Sequence, residues 1–143
     1  MRRAPLALRQ VALAVVERRG RVLICRRRPQ DHLGGYWEFP GGTRRRSETW
    51  EACLRRELRE ELGVDIRALR PLGELAHRTA KTRLRFKVFR CTIARGRPRA
   101  LAAETIRWVL LGRLRRYRFP PADAGLVRGL SGGLQARRRR AIM

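Results

Sequence analysis

Short apolar runs alternate with polar breaks along the first third of the chain. Residues 10–17 and 21–26 are apolar and partly β-branched, and Arg18-Arg19-Gly20 separates them. This pattern predicts two neighbouring strands joined by a turn. Residues 27–35 are rich in chain-breaking residues and predict a loop. Residues 36–42 then lead the chain towards its first helix.

The second half of the chain predicts more strands and a final helix. The run at 84–93 alternates partly between apolar and basic residues, as expected for an antiparallel strand with one wetter face. The remaining predicted elements are a strand at 65–77 with a break at Pro71, a strand at 105–111, a short helical or irregular link at 114–117, and a C-terminal helix that follows the lead-in at 119–124 and ends at about Leu130.

A helix is predicted between the loop around residue 42 and the break at Gly63. Ser47 is a good N-cap, Glu48 and Glu51 place negative charge in the first turn, and Gly63 suits the C-terminal end. At about 100° per residue, four apolar side chains lie within about 80° of one direction. This predicted buried stripe consists of Trp50, Leu54, Leu58 and Leu62.

The same helix carries carboxylates on or beside its apolar stripe. Glu57 and Glu61 lie inside or at the edge of the arc centred on Leu54, and Glu60 lies about 60° beyond Glu57. Three carboxylates at this spacing repel one another, and burial raises the cost. They could form a solvated face balanced by neighbouring arginines, but a bound divalent cation explains the cluster better.

The spacing of this stretch resembles the sequence box of the Nudix hydrolase family. Gly42, Glu48, Arg56-Glu57, Glu60-Glu61 and Gly63 occupy every defined position of that box. The segments at 26–42, 107–109 and 119–123 also resemble MutT-type members of the family. The resemblance therefore covers about residues 10–130.

The resemblance implies an α/β Nudix fold, in which a mixed β-sheet is sandwiched between α-helices. It also implies a nucleoside triphosphate pyrophosphohydrolase that depends on Mg²⁺, with Mn²⁺ as a substitute, and releases the monophosphate and pyrophosphate. Oxidised purine nucleotides such as 8-oxo-dGTP are candidate substrates. The alternatives are a basic nucleic-acid-binding module and a nucleotide sensor without catalysis.

The family pattern also implies which residues form the catalytic site. Glu57, Glu60 and Glu61, with the Gly41 carbonyl, would hold the metal ion, and Arg56 would orient and charge-balance Glu57. Two further acidic residues, Glu48 and Glu104, are candidates for the metal or a water bound to it. Ala102 and Ala103 beside Glu104 depart from the family pattern. So do three arginines at 44–46, which would either grip the triphosphate or oppose metal loading.

Four residues are expected to bind the substrate. Arg27 is the candidate for phosphate contact, because a guanidinium fork matches phosphate oxygens. Glu38 and Phe39 belong to the segment that resembles MutT-type relatives. In those relatives the position of Asp123 helps to recognise the purine edge, although on physical grounds Asp123 could equally be a helix N-cap.

Composition adds an unusual charge. The chain has 143 residues, enough for one domain, and a net charge of +24 with only two lysines among 36 basic residues. The charge indicates either an anionic partner, including weak contact with nucleic acid, or an arginine-biased background. We expect a basic N-terminal extension at 1–9, a Nudix domain at 10–130, and a basic, disordered tail at 131–143.

The sequence also bears on cellular location. No apolar run approaches the length of a membrane span, so no membrane association is expected. Three separated cysteines without a Cys-x-x-Cys pair favour a reducing compartment, and a cytoplasmic location is expected.

Overall fold

The computed structural model describes residues 6–132 of the chain. Within these residues, seven strands, two α-helices and two 3₁₀ segments follow one another. The strands are β1 (Ala7–Arg18), β2 (Arg21–Arg26), β3 (Trp37–Glu38), β4 (Gly41–Thr43), β5 (Asp65–Arg78), β6 (Thr82–Arg95) and β7 (Thr105–Leu110). The helices are α1 (Trp50–Leu62) and α2 (residues 124–132), and the 3₁₀ segments are Leu111–Arg116 and Pro121–Asp123.

The strands form a mixed sheet around β1. Its main path runs β3-β2-β1-β6-β5, while β4 pairs with β1 and β7 pairs with β2. The pairing of β1 with β6 is parallel, and the other pairings are antiparallel. Because β1 contacts β2, β4 and β6, it connects the two parts of the sheet.

Helices cover both faces of this sheet. Successive side chains of β1 point to opposite faces, so the strand contributes to a core on each side. Ala12, Ala14 and Val16 pack under α1, whose fully buried side chains are Cys53, Leu54, Leu58 and Leu62. Leu13 and Val15 face the other way, towards a second core. Members of that core from beyond β7 are Leu111, Leu114 and Val127. The predicted arrangement of a mixed sheet between helices is confirmed. Among the described residues, no helix has the length and apolarity that crossing a membrane requires.

The first strand begins earlier than predicted. Residues 7–9, assigned to a basic extension, pair in parallel with Thr82, Arg83 and Leu84 of β6. Their side chains are exposed, so the apolar pattern that marks residues 10–17 does not reach them. Backbone hydrogen bonds to β6, which is distant in sequence, extend β1 to Ala7. The local pattern of apolar and polar residues does not reveal such pairing.

The predicted break at Pro71 is an irregularity within one long strand. The β5–β6 register shifts between Arg67 and Arg70 and again between Pro71 and Gly73. Ala68 also has a positive φ of 58°. The strand nevertheless continues to Arg78, because bulges absorb the irregular residues without ending the ladder.

The C-terminal helix extends beyond the predicted boundary at residue 130. Residues 131 and 132 are helical, and the Ser131 hydroxyl, which is 9% exposed, donates to the Val127 carbonyl at 2.6 Å. These two residues therefore belong to the domain rather than to the predicted tail. The rest of that tail, 133–143, lies outside the described residues, as do residues 1–5.

The N-cap of α1 is Thr49, so the prediction of Ser47 was wrong. The Thr49 hydroxyl accepts from the Ala52 amide at 3.0 Å, and its backbone is extended. Residues 45–48 form a turn closed by the Glu48 amide on the Arg45 carbonyl, which keeps Ser47 and Glu48 outside the helix. At the other end, Gly63 adopts φ 71° and donates to the Arg59 carbonyl. Its predicted capping role is confirmed.

This assignment predicts different effects at two neighbouring hydroxyl residues. Thr49→Ala removes the oxygen that satisfies the Ala52 amide, so the free energy of unfolding should fall by about 1 kcal/mol. Ser47→Ala removes no capping bond and should change it by less than about 0.5 kcal/mol. Urea unfolding of both variants measures the difference, and a larger loss for Ser47→Ala would contradict the assignment.

Candidate active site

The site forms where the short strand β4 packs against α1. A Cβ atom on Gly42 would lie 2.4 Å from the carboxyl carbon of Glu57. At Gly41, where φ is 148°, a Cβ atom would lie 2.0 Å from the Ala12 carbonyl oxygen. Gly41 therefore requires glycine, because its clash is with the backbone of β1, whereas a side chain at Gly42 would displace the Glu57 carboxyl group.

Two carboxylates of α1 converge on this glycine pair. Glu61 accepts a hydrogen bond from the Gly41 amide at 3.3 Å. Burial, followed by the hydrogen bond and negative charge of Glu57, raises the pKa of Glu61 well above its usual range. The two groups therefore disfavour simultaneous ionisation when no cation lies between them. This is the repulsive pair that the helical spacing predicted.

Arg56 holds the surrounding carboxylates in place. Its Nε and Nη2 donate to the two oxygens of Glu48 at 2.6 and 2.8 Å, and Nη1 donates to Glu57 at 2.8 Å. Hydrogen bonding to Arg56, aided by the Arg45 amide, lowers the pKa of Glu48 to about 2. Both Glu48 oxygens are thus engaged in a fork that connects the loop to the helix.

Glu60 lies further out than the other two helix carboxylates. Its side chain is 54% exposed and one oxygen lies 3.4 Å from Nη1 of Arg56, the nitrogen that also contacts Glu57. Within residues 6–132, no three acidic, histidine or cysteine side chains already have the geometry of a metal site. Glu57 and Glu61 form the inner pair, and Glu60 joins them through Arg56.

A cavity of about 190 Å³ opens beside Glu61. Arg27 lines this cavity, and two hydrogen bonds fix its guanidinium group. Its Nε donates to the His32 carbonyl at 2.6 Å, and its Nη1 donates to Glu38 at 2.8 Å. Two of the predicted substrate-binding residues are therefore paired with each other. The full lining is Cys25, Arg27, Asp31, Glu38, Glu61, Ala102 and Ala103.

The loop that follows β6 closes one side of this cavity. The amides of Arg99 and Leu101 donate to the carbonyls of Leu62 and Glu61, each at 3.0 Å, which satisfies free carbonyls at the end of α1. Glu104 lies beyond the cavity, with its carboxylate 3.7 Å from Nε of Arg26. Within the described residues, its ionic contact is with Arg26.

The arginines of the loop before α1 have unequal roles. Arg44 donates to the Gln10 side chain and to the Glu48 carbonyl, and its guanidinium lies 5.4 Å from the Trp50 ring. It therefore anchors the loop to β1 and α1. The side chains of Arg45 and Arg46 are exposed.

Phe39 and Asp123 are both buried, and Phe39 belongs to the second core. Phe39 is 2% exposed and stacks on Phe119 with ring centroids 5.1 Å apart. This packing places the Phe39 side chain in the protein interior. Asp123 is 9% exposed, and burial, with a smaller contribution from Glu38, raises its pKa to about 6.

Comparison with known proteins identifies the family to which this fold belongs. A family model described as the NUDIX domain matches residues 11–129. The chain belongs to the Nudix family. The putative 8-oxo-dGTP diphosphatase 2 of Mycobacterium tuberculosis is 35% identical over 128 residues, which cover 87% of this chain and 89% of that protein.

Two further proteins are similar to this chain, over different lengths of it. The 8-oxo-dGTP diphosphatase of Proteus vulgaris is 41% identical over 63 residues, 44% of this chain and only 56% of that protein. The solution structure of the E. coli ORF135 protein superposes with a TM-score of 0.80 at 25% identity, over 92% of this chain and 94% of that chain. This protein is therefore a Nudix hydrolase with a MutT-like fold.

Nudix hydrolases use divalent metal cations, and the residues present here fit one. Glu57 and Glu61 pack together with a raised pKa at Glu61, so a cation between them would replace the proton that relieves their repulsion. Oxygen ligands of this kind suit a hard divalent ion.

Sequence reasoning missed the parts of the Nudix site that come from loops. Asp31, Ala102 and Ala103 line the cavity beside Glu61, yet none was predicted to contact the substrate. Asp31 lies within the breaker-rich stretch 27–35, which has no recognisable motif around it. The two alanines reach the cavity only because their loop caps α1. The chain has two histidines: the backbone carbonyl of His32 accepts a hydrogen bond from Arg27, and His77 lies on β5, opposite Leu84 of β6.

The buried Asp123 predicts a measurable pH dependence of stability. Its pKa in the folded state, about 6, exceeds the ordinary value of 3.8, so the folded state holds the proton more tightly. Its contribution to stability is therefore lost as pH rises from about 4 to 6. Asp123→Asn removes this ionisation, and at pH 7.5 it should raise the free energy of unfolding by about 1–3 kcal/mol.

The same comparison at pH 4 provides the internal control. There the wild-type carboxyl is largely protonated in the folded state, so the advantage of Asp123→Asn should shrink. Asp31→Asn, at an exposed carboxylate, should change unfolding little at either pH. Denaturant unfolding at both pH values measures this. An equal effect of Asp123→Asn at pH 4 and pH 7.5 would show that packing, not ionisation, governs the site.

Proposed function

We propose that this Nudix hydrolase is a Mg²⁺-dependent pyrophosphohydrolase that cleaves nucleoside triphosphates to the monophosphate and pyrophosphate. The observation that carries the proposal is the half-buried pair Glu57–Glu61 against Gly41-Gly42, next to a cavity lined by Arg27. A cation site directly beside a guanidinium suits a substrate with several adjacent phosphates.

The residues of the site divide this work between them. Glu57 and Glu61, with Glu60 and the Gly41 carbonyl, would hold the ion. Bound Mg²⁺ supplies charge neutralisation at the phosphate oxygens and a water of lowered pKa. Arg56 keeps the Glu57 carboxylate oriented through its 2.8 Å hydrogen bond and is itself held by Glu48. Glu48 thus supports the site indirectly, by fixing the position of Arg56.

Arg27 is suited to bind a phosphate group without leaving its position. Its hydrogen bonds to the His32 carbonyl and to Glu38 use Nε and Nη1. Within the described residues Nη2 has no hydrogen-bond partner, so it can donate to a phosphate oxygen. Because two bonds already orient the guanidinium, little side-chain entropy remains to be lost on binding.

Asp123 is the proposed reader of the base. A buried carboxylate would repel phosphates, so its useful contact is with donor groups on a base edge. An 8-oxo purine offers an N7–H donor that an ordinary purine lacks. With a pKa of about 6, Asp123 is mostly ionised at neutral pH and accepts such a hydrogen bond. The names of the relatives, which are 8-oxo-dGTP diphosphatases, agree with an oxidised purine as the substrate.

The alternative of a nucleotide sensor without catalysis is less well supported. Such a sensor would bind a polyanion more readily without the acidic pair at 57 and 61. Retention of that pair in a protein of net charge +24 favours a role for a cation, and therefore hydrolysis.

The first test is the substitution Glu57→Gln. It keeps the shape of the side chain and removes one charge from the inner pair, so turnover with Mg²⁺ should fall at least about a hundredfold. The melting temperature without metal should stay the same or rise, because carboxylate repulsion is relieved. The stabilisation that added Mg²⁺ gives the wild type should shrink.

Glu51→Gln is the matched control, since Glu51 is an exposed carboxylate in the first turn of the same helix. It should retain wild-type turnover and the wild-type response to Mg²⁺. Release of monophosphate and pyrophosphate, measured with and without EDTA, provides the assay. Full turnover in Glu57→Gln, or wild-type turnover in EDTA, would refute the mechanism.

The second test concerns base recognition by Asp123. Asp123→Ala should raise KM for the preferred purine triphosphate by about ten- to a hundredfold, as expected for loss of about 1–3 kcal/mol of buried contact. Hydrolysis of a poor pyrimidine substrate should change little. Steady-state kinetics on 8-oxo-dGTP, dGTP and dCTP measure the difference. Equal losses on all three, with a lower melting temperature, would show a purely structural role.

A further inference from the structure

A second cavity, of about 490 Å³, lies at the end of the sheet formed by the last residues of β1 and β6. It shares no lining residue with the cavity beside Glu61. Its volume falls in the range of about 300–1,000 Å³ that ligand pockets occupy. The side chains that give it chemical character are Glu17, Arg18, Arg19, Arg67, Arg95 and Trp108.

The charge of this cavity is not neutralised by its acidic neighbours. Glu17 is the one carboxylate in the lining, and it lies 2.7 Å from Nη2 of Arg90. Asp65 pairs with Arg95 across the strands, but its carboxylate accepts a 2.6 Å hydrogen bond from Arg59. Four arginines and one carboxylate therefore line one concave surface, which carries a net positive charge.

Arg18 is held in position by an aromatic ring. Its guanidinium carbon lies 4.5 Å from the centroid of the Trp108 ring, and the half-buried indole belongs to the α1 side of the core. Stacking occupies the face of a guanidinium and leaves its N–H edges free to donate. Trp108 thus orients the Arg18 guanidinium towards a hydrogen-bond acceptor. Because Arg18 covers the indole ring, a nucleobase is not favoured to stack on that face of Trp108.

Arg19 occupies a backbone position that arginine disfavours. It has φ 52° and is followed by Gly20 at φ 76°, so the two residues form the tight turn between β1 and β2. Turns with two positive φ angles prefer Asn-Gly or Gly-Gly. An arginine at this position sacrifices turn stability while placing a fourth cation at the cavity.

We propose that this cavity is a second binding site, specific for closely spaced phosphate groups. Guanidinium groups match phosphate oxygens through paired N–H donors, and several of them together suit a polyphosphate better than a single carboxylate. Such phosphates could come from a free pyrophosphate or from a nucleic-acid backbone, which present the same chemistry to the site. General surface charge would not explain a Trp-oriented arginine and a strained one in the same concavity.

The direct test is titration of the full chain with pyrophosphate by calorimetry in EDTA at low salt. Without a cation the acidic pair at 57 and 61 disfavours anions, so binding reports on other sites. The double variant Arg18→Gln/Arg67→Gln should lose affinity by at least about tenfold. The control Arg113→Gln/Arg116→Gln makes the same change of charge at exposed arginines outside the cavity and should retain wild-type affinity.

A single variant separates binding from stability. Arg19→Asn creates a preferred Asn-Gly turn, so the melting temperature should rise by about 2–4 °C. Its affinity for pyrophosphate should nevertheless fall at least about threefold, because one guanidinium is lost. Hydrolysis of nucleotides at the Nudix site should remain at the wild-type rate in all of these variants.

A single-stranded oligonucleotide, titrated in the same way, distinguishes the two sources of phosphate. Tighter binding than pyrophosphate, with a steep decrease in salt and loss in Arg18→Gln/Arg67→Gln, would support the site and identify nucleic acid as its source. Binding of pyrophosphate alone would support the site and identify a free polyphosphate. Equal losses in the cavity variant and the charge-matched control, or no measurable binding, would overturn the proposal.

Discussion

The close contact between the glycine pair of β4 and the carboxylates of α1 is the constraint on which the rest of this structure depends. The Glu57 carboxyl group occupies the space that a Cβ atom of Gly42 would fill, and Glu61 bonds to the Gly41 amide. The glycines and the carboxylates come this close because β4 pairs with β1 and α1 packs on the face of the sheet beside them. The pairing of β4 with β1 and the packing of α1 on the sheet together hold this contact in place.

Arg56 makes the contact tolerable without a cation. It bonds to Glu48 and Glu57 and lies near Glu60, so one side chain partly balances three carboxylates. The inner pair still retains a raised pKa at Glu61, which shows that balance is incomplete. The site is therefore a local acidic centre that a divalent ion would complete, within a protein whose net charge is strongly positive.

The arginines that produce this positive charge serve at least three different purposes. Arg44 anchors the loop before α1, and Arg27 orders the cavity beside Glu61. Arg18 is stacked on Trp108 at the second cavity. An arginine-biased composition therefore does not make its members equivalent. Hydrogen bonds and aromatic contacts distinguish those that support the domain from those that face a ligand.

Features with local signals could be predicted from the amino-acid sequence. The apolar stripe of α1, its Gly63 cap and the position of Glu57 and Glu61 beside that stripe follow from helical periodicity, and the family box from spacing. Which loops lie near these residues depends on the tertiary structure. Asp31 and Ala103 line the same cavity as Glu61, Phe39 packs in the core and residues 7–9 join the sheet because of contacts between distant segments. Such contacts depend on how strands and helices pack, and local sequence pattern does not encode them.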